Sequence, residues 1–217
     1  MTQLSCAILA GGRSRRMGQD KALLKLPDGQ VLLGRTVGVA RSLLDEVHKE
    51  VPWQGQSQGA PPDITVVTPW PERYQSVLTP PIQWVDDRQA AGPLAGFSQA
   101  WSKIQSDWCL LLACDLPKLE AQALQQWWQW LAIEAEAEAE TRSPSAEASL
   151  IKRSKGWEPL CGYYHRSCVP SLTKHLSAGH RDFQSWLQTL NIAPYSAMPA
   201  EMLFNCNRPA DWAKISE

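Results

Sequence analysis

Residues 9–21 read Leu-Ala-Gly-Gly-Arg-Ser-Arg-Arg-Met-Gly-Gln-Asp-Lys, and Arg13, Arg15, Arg16 and Lys21 put four cations within nine positions. Gly11 and Gly12 lack Cβ atoms, so the backbone there can turn sharply and approach a ligand closely. Exposed N–H groups in such a loop form an anion site. Donors and cations together suit a triphosphate and the charge that grows as it is displaced. The apolar run Leu4–Leu9 just before has strand character, so the segment predicts a strand that opens into a phosphate-binding loop. Two common phosphate motifs do not fit. Five residues separate Gly12 from Gly18 and Gln19 follows, which breaks the P-loop spacing, and the adjacent Gly11–Gly12 pair cannot supply Gly-x-Gly-x-x-Gly.

Asp115 is the next candidate. It ends the run Trp-Cys-Leu-Leu-Leu-Ala-Cys, and Pro117 breaks the chain away. Ligands of open α/β sheets sit beyond the carboxyl ends of strands. A carboxylate there is a suitable Mg²⁺ ligand, because Mg²⁺ takes one or two protein carboxylates plus phosphate oxygens and water. Taken alone, the residue fits equally well as a cap of the following turn. A third feature is Val85-Asp86-Asp87-Arg88 followed by Gly92-Pro93-Leu94-Ala95-Gly96, acidic residues at a strand end before a Gly/Pro turn and a helix predicted to open at Gly96. Asp86 reads as a solvated loop acid. Near the C-terminus, Asn207 precedes a helix predicted from about Pro209, where it can serve as a cap or face a phosphate. His180 and Arg181 suit a phosphate or a solvated turn, and His48, His165 and His175 have no metal-ligand spacing.

The loop resembles the signature of the GT-A-like nucleotidyltransferases, and within them the molybdenum cofactor guanylyltransferase family. Leu9 to Gly12, Ser14, Arg16, Met17, Gly18, Asp20 and Lys21 fit that family's pattern. Cys114-Asp115-Leu116-Pro117, Asp87 with Gly92–Gly96, and Asn205-Cys206-Asn207 resemble its other motifs, in the family's order. The resemblance implies transfer of GMP from GTP to the terminal phosphate of Mo-molybdopterin, with pyrophosphate leaving. It implies a GTP site of Leu9, Ala10, Gly11, Gly12, Lys21, Thr68, Asp87 and Asp115. Arg16, Lys21 and Asp115 are the implied catalytic residues, Asp115 the Mg²⁺ ligand, and Asn205, Asn207 and Arg181 the acceptor side. Thr68 and Arg208 depart from the family's Asn and Thr at those places. The double glycine favours GTP over CTP. A cytidylyl or sugar-phosphate transferase, and a non-catalytic nucleotide-binding carrier of the cofactor, are the alternatives; Lys21 and Asp115 argue against lost catalysis. Molybdoenzyme apoproteins or their chaperones are the further partners this implies.

These residues need a scaffold that brings distant loops to one edge. At 217 residues the chain suits one α/β domain spanning 1–217. Strand signals at Leu4–Leu9, Ile64–Thr68, Ile82–Val85 and Trp108–Cys114 alternate with helix signals at 31–44, 96–105 and 120–133. That alternation predicts a Rossmann-like three-layer nucleotidyltransferase fold around a mostly parallel sheet. Strands at 149–153 and 159–164 and helices near 167–177 and 182–190 follow. Residues 52–62 and 134–148 read as surface insertions, the second a fraying helix with no packed face. Trp127, Trp128 and Trp130 are expected to pack a helix against the sheet or a neighbouring subunit.

The formal net charge of −1 gives no general pull toward nucleic acid or membrane. Six cysteines without a Cys-x-x-Cys favour a reducing, cytoplasmic setting, with Cys6, Cys109 and Cys114 as packing residues. The first apolar run lacks a charged n-region and stops at Gly11, unlike a signal peptide. No apolar stretch approaches the roughly 18–20 residues of a membrane span.

Overall fold

A computed structural model describes residues 3–11, 18–50, 63–88, 91–141, 145–206 and 208–216. The predicted insertion at 52–62 lies outside them, as do the candidate residues Gly12, Arg16 and Asn207. Seven strands form one sheet: β1 (Leu4–Leu9), β2 (Ile64–Thr68), β3 (Gln83–Asp86), β4 (Trp108–Ala113), β5 (Ala148–Arg153), β6 (Gly156–His165) and β7 (Ile192–Pro194). Their order is β3-β2-β1-β4-β6-β5-β7, and β6 alone runs against its neighbours. The chain adds β2 and β3 on one side of β1, then returns to place β4 on the other. This reversal beside β1 is where open α/β sheets form a ligand crevice.

The strands read as continuous apolar runs because both faces are covered. Leu4, Cys6 and Ile8 of β1, with Leu110 and Leu112 of β4, join one core cluster under α1 (Leu32–Glu50) and α4 (Ala121–Thr141). Ala7, Cys109 and Leu111 join the other, under α3 (Pro93–Trp101), α5 (Val169–Ser177) and α6 (Phe183–Leu187). The short α2 (Pro71–Tyr74) follows β2, and α7 (Pro209–Ser216) ends the chain. The tryptophan helix packs on the sheet: Trp127 is fully buried, stacks on Tyr195 at 4.9 Å, meets Tyr163 edge-on at 5.1 Å, and donates its indole N–H to Ser149 Oγ at 2.8 Å.

Several boundaries differ from expectation. Helix α3 opens at Pro93 and not at Gly96, because proline fits the first helical position and Gly92 turns the chain with φ of 98°. β3 starts one residue later than predicted, and α1 and α4 run on to Glu50 and Thr141. The stretch 134–148 does have a packed end: Ala146 and Ala148 are buried, and the Glu147 carbonyl accepts from the His165 amide at 2.8 Å. Strand β7 carries too weak a signal, at three residues, for the sequence to announce it.

Trp127→Ala is expected to lower the unfolding free energy by about 3–5 kcal/mol through lost packing. Ser149→Ala is expected to cost about 1–3 kcal/mol, because it strands the indole N–H in the core. Urea denaturation checks both, and near-wild-type stability of Trp127→Ala contradicts this packing.

Candidate functional site

The ends of β1 to β4 meet at one rim, and backbone hydrogen bonds continue the ladder into their loops. The Ala10 amide donates to Val67 O at 2.9 Å, that of Cys114 to Leu9 O at 3.3 Å, and that of Asp87 to Thr68 O at 3.1 Å. Gly11 passes tightly beside β2's exit: a Cβ there falls 3.3 Å from Pro69 Cδ. The absence of a side chain therefore lets the backbone pass Pro69 at that point.

When the chain returns at Gly18, a short 3-10 turn, Lys21–Leu23, brings Lys21 back to the rim. Asp20 starts that turn, its Oδ1 accepting from the Ala22 amide at 3.1 Å. Lys21 Nζ then lies 3.4 Å from Asp115 Oδ2, with both side chains less than a fifth exposed. Two residues separated by 94 positions thus form the centre of the site. Burial pushes the Asp115 carboxyl above its ordinary range, and the Lys21 ammonium opposes that shift only in part. The backbone around Asp115 is pinned twice. Arg35 Nε donates to Pro117 O at 2.6 Å, and the Cys206 amide donates to Asp115 O at 3.0 Å. The second bond carries the segment containing Asn205 to the Asp115 loop. Burial also raises the neighbouring thiols, Cys114 to about 12 and Cys206 to about 11, so both are neutral near pH 7.

Asp87 is only 8% exposed, and its Oδ1 accepts from Gln99 Nε2 of α3 at 3.1 Å. Gly96 lets α3 pack closely on β2, since a Cβ there would fall 3.3 Å from Val67 Cγ1, while its 3.5 Å to Asp87 Oδ2 is an ordinary contact. Asp86, by contrast, is exposed and pairs with Arg88 at 3.0 Å, as its reading as a solvated acid anticipates. Thr68 is fully buried, and its hydroxyl accepts from the Trp70 amide at 3.2 Å. As it stands, the Thr68 side chain serves the β2–α2 turn and presents no group to the rim.

Because β6 runs against β4, its first residues arrive at the same rim. Glu158 pairs there with Arg153 at 3.6 Å, and burial raises its carboxyl, with the charge of Asp115 adding to the shift. An open cavity of about 560 Å³ adjoins it, lined among others by Lys118, Arg153, Lys155, Trp157, Phe204 and Asn205. Arg181 does not line that cavity. Its Nη1 donates to Leu176 O at 2.7 Å and His180 O at 2.8 Å, closing the end of α5. Among the described residues no group of three or more His, Cys, Asp or Glu could hold a metal ion. Arg35, Gln99 and the cavity cations went unseen in the sequence. Gln99 carried a faint signal, lying one helical turn after Gly96.

The MobA-like NTP transferase domain model matches residues 6–193. A protein of a Nostoc strain named "Probable molybdenum cofactor guanylyltransferase" is 40% identical over 215 residues, covering 99% of this chain and 91% of its own. A Synechococcus elongatus protein of the same name is 40% identical over 211 residues, covering 96% and 95%. Among solved structures, molybdopterin-guanine dinucleotide biosynthesis protein A from Archaeoglobus fulgidus superposes with a TM-score of 0.65 at 22% identity, covering 98% and 96%. A Mycobacterium tuberculosis protein solved in complex with manganese gives 0.61 at 16% identity, covering 99% and 98%. These two show the shared fold; the closer sequences and the matched domain carry the assignment. The chain belongs to the molybdenum cofactor guanylyltransferase family.

Proposed function

We propose that this protein transfers GMP from GTP to the terminal phosphate of Mo-molybdopterin, releasing pyrophosphate and forming the guanine dinucleotide cofactor. The observation that carries the reading is the Lys21–Asp115 pair, 3.4 Å apart at the crevice beside the Gly11 loop. An acceptor phosphate oxygen attacks the α-phosphorus of GTP. A new P–O bond forms, and the bond from that phosphorus to the oxygen bridging to the β-phosphate breaks. The nucleophile is already an anion, so no strong general base is required. The protein's task is to hold two anions in line and offset their repulsion.

Gly11, Gly12 and Arg16 cradle the triphosphate, and Lys21 stabilises charge that grows on it. A single, mostly buried carboxylate at a strand mouth suits Mg²⁺, which fills its remaining positions with phosphate oxygens and water. Held by Asp115, that ion supplies charge neutralisation across the phosphates. Asp87, oriented by Gln99, accepts from the N1–H and amine of guanine, which cytosine cannot match; any Thr68 contact is through its backbone. On the acceptor side, Lys118, Arg153 and Lys155 attract the anionic pterin phosphate, and Asn205 and Asn207 would serve the same side. Six free cysteines agree with a reducing, cytoplasmic setting, and no helix among the described residues is long and apolar enough to cross a membrane.

The reading is tested by incubating the protein with Mg²⁺, molybdopterin and each nucleoside triphosphate labelled at the α-phosphate. Label is expected to move to the pterin from GTP alone; equal transfer from CTP overturns the guanylyl assignment. Asp115→Asn is expected to bind GTP yet lose on the order of 100-fold in turnover. Its stability should move the other way. The folded Asp115 pKa exceeds the unfolded value of 3.8, so its favourable contribution is present below pH 3.8 and lost as pH rises through the folded value. Near pH 7 the ionised carboxylate is a net cost, and Asp115→Asn should raise the thermal midpoint.

Lys21→Ala is expected to lower kcat by on the order of 100-fold, about 3 kcal/mol; an effect on the KM for GTP alone makes Lys21 a uniform binding residue. Asp87→Ala should reduce the ratio of kcat/KM for GTP over CTP, while Thr68→Ala should change it little. The reverse pattern moves base reading to β2.

A further inference from the structure

Lys21 opens a 3-10 turn of three residues, too short to fix a long lysine side chain by itself. What anchors the turn from outside is Tyr74, the last residue of α2. Its ring is fully buried, and its hydroxyl donates to Asp20 Oδ2 at 2.8 Å across 54 positions of sequence. The other oxygen, Oδ1, already accepts from the Ala22 amide at 3.1 Å. The carboxylate is therefore held between two donors, one from the core and one from the turn it starts. Lys21 is the next residue, and it ends 3.4 Å from Asp115.

We propose that Tyr74 is a positioning residue that, through Asp20, aims the Lys21 ammonium at the reacting phosphates. This rests on the role given to Lys21 above. Burial first, then the Asp20 bond and charge, push the phenol's pKa up against a smaller lowering by a bond with the Thr68 side chain, so the hydroxyl stays protonated and able to donate to Asp20. Arg73 approaches the same Asp20 oxygen only at 3.9 Å from an exposed position, and its side chain also lies over Trp70 at 4.7 Å. From the end of α2, this hydroxyl reaches the residue before Lys21. A charge-assisted bond of this kind fixes the start of the turn and hence the range of positions open to Nζ.

Tyr74→Phe keeps the ring and its packing while removing the donor. It is expected to lower kcat on the order of tenfold and to weaken GTP binding in EDTA several-fold, with the thermal midpoint within a few degrees of wild type. Asp20→Asn, which weakens the same acceptor, should behave alike. The deciding comparison is a double-variant cycle with Lys21→Ala. If Tyr74 acts through Lys21, Tyr74→Phe should change kcat and GTP affinity less than twofold once Lys21 is alanine. A tenfold loss that persists in that background, or wild-type kcat in Tyr74→Phe, overturns the proposal. Wild-type kcat in Lys21→Ala alone instead removes the role of Lys21, and with it anything for Tyr74 to position.

Discussion

A carboxylate enclosed at the mouth of a buried strand is unfavourable unless something positive faces it. Here Asp115 faces Lys21 at 3.4 Å, and its carboxyl is still raised by burial. The described surroundings thus leave burial of this carboxylate only partly offset. In the proposed reading, a cation arriving with a triphosphate meets it. The remaining features serve to hold it in place: Arg35 and Cys206 fix the Asp115 loop from two sides, and Asp20 fixes the turn that returns Lys21.

The sheet topology explains why such distant residues meet. β1 lies between β2 and β4, so the loops after these three strands leave one rim side by side. The parallel pairings keep their exits level, and the reversed β6 brings Glu158 and the cationic cavity wall to the same rim from the other direction. In the proposed reading, nucleotide and acceptor sides are built on different kinds of strand, and Asp115 lies where they adjoin. Gly11 and Gly96 permit the close approaches, one past Pro69 and the other past Val67.

The family motifs around Gly11 and Asp115 were legible because their signals are local: glycines, cations and an acid at fixed spacing next to apolar strands. The mostly parallel sheet followed from alternating strand and helix signals. Other parts were hidden for physical reasons. Arg35, Gln99 and Tyr74 act through side chains whose partners lie 82, 12 and 54 positions away, and nothing in their immediate sequence marks those partners. The cavity draws Lys118, Arg153, Lys155 and Phe204 from separate elements, so no spacing announces it. Thr68 occupies the place of a family nucleotide contact, yet a buried hydroxyl already bonded to Trp70 serves its own turn first. Arg181, in a motif-like stretch, closes a helix end.

The central claim is that Asp115 holds the metal ion through which the phosphates are neutralised. A change of ligand softness tests it most directly, since thiolate prefers soft cations over Mg²⁺. In Asp115→Cys, turnover should be lost with Mg²⁺ and recovered in large part with Cd²⁺, while the unaltered protein gains nothing from Cd²⁺. Full turnover of Asp115→Cys with Mg²⁺, and no preference for Cd²⁺, would contradict the account.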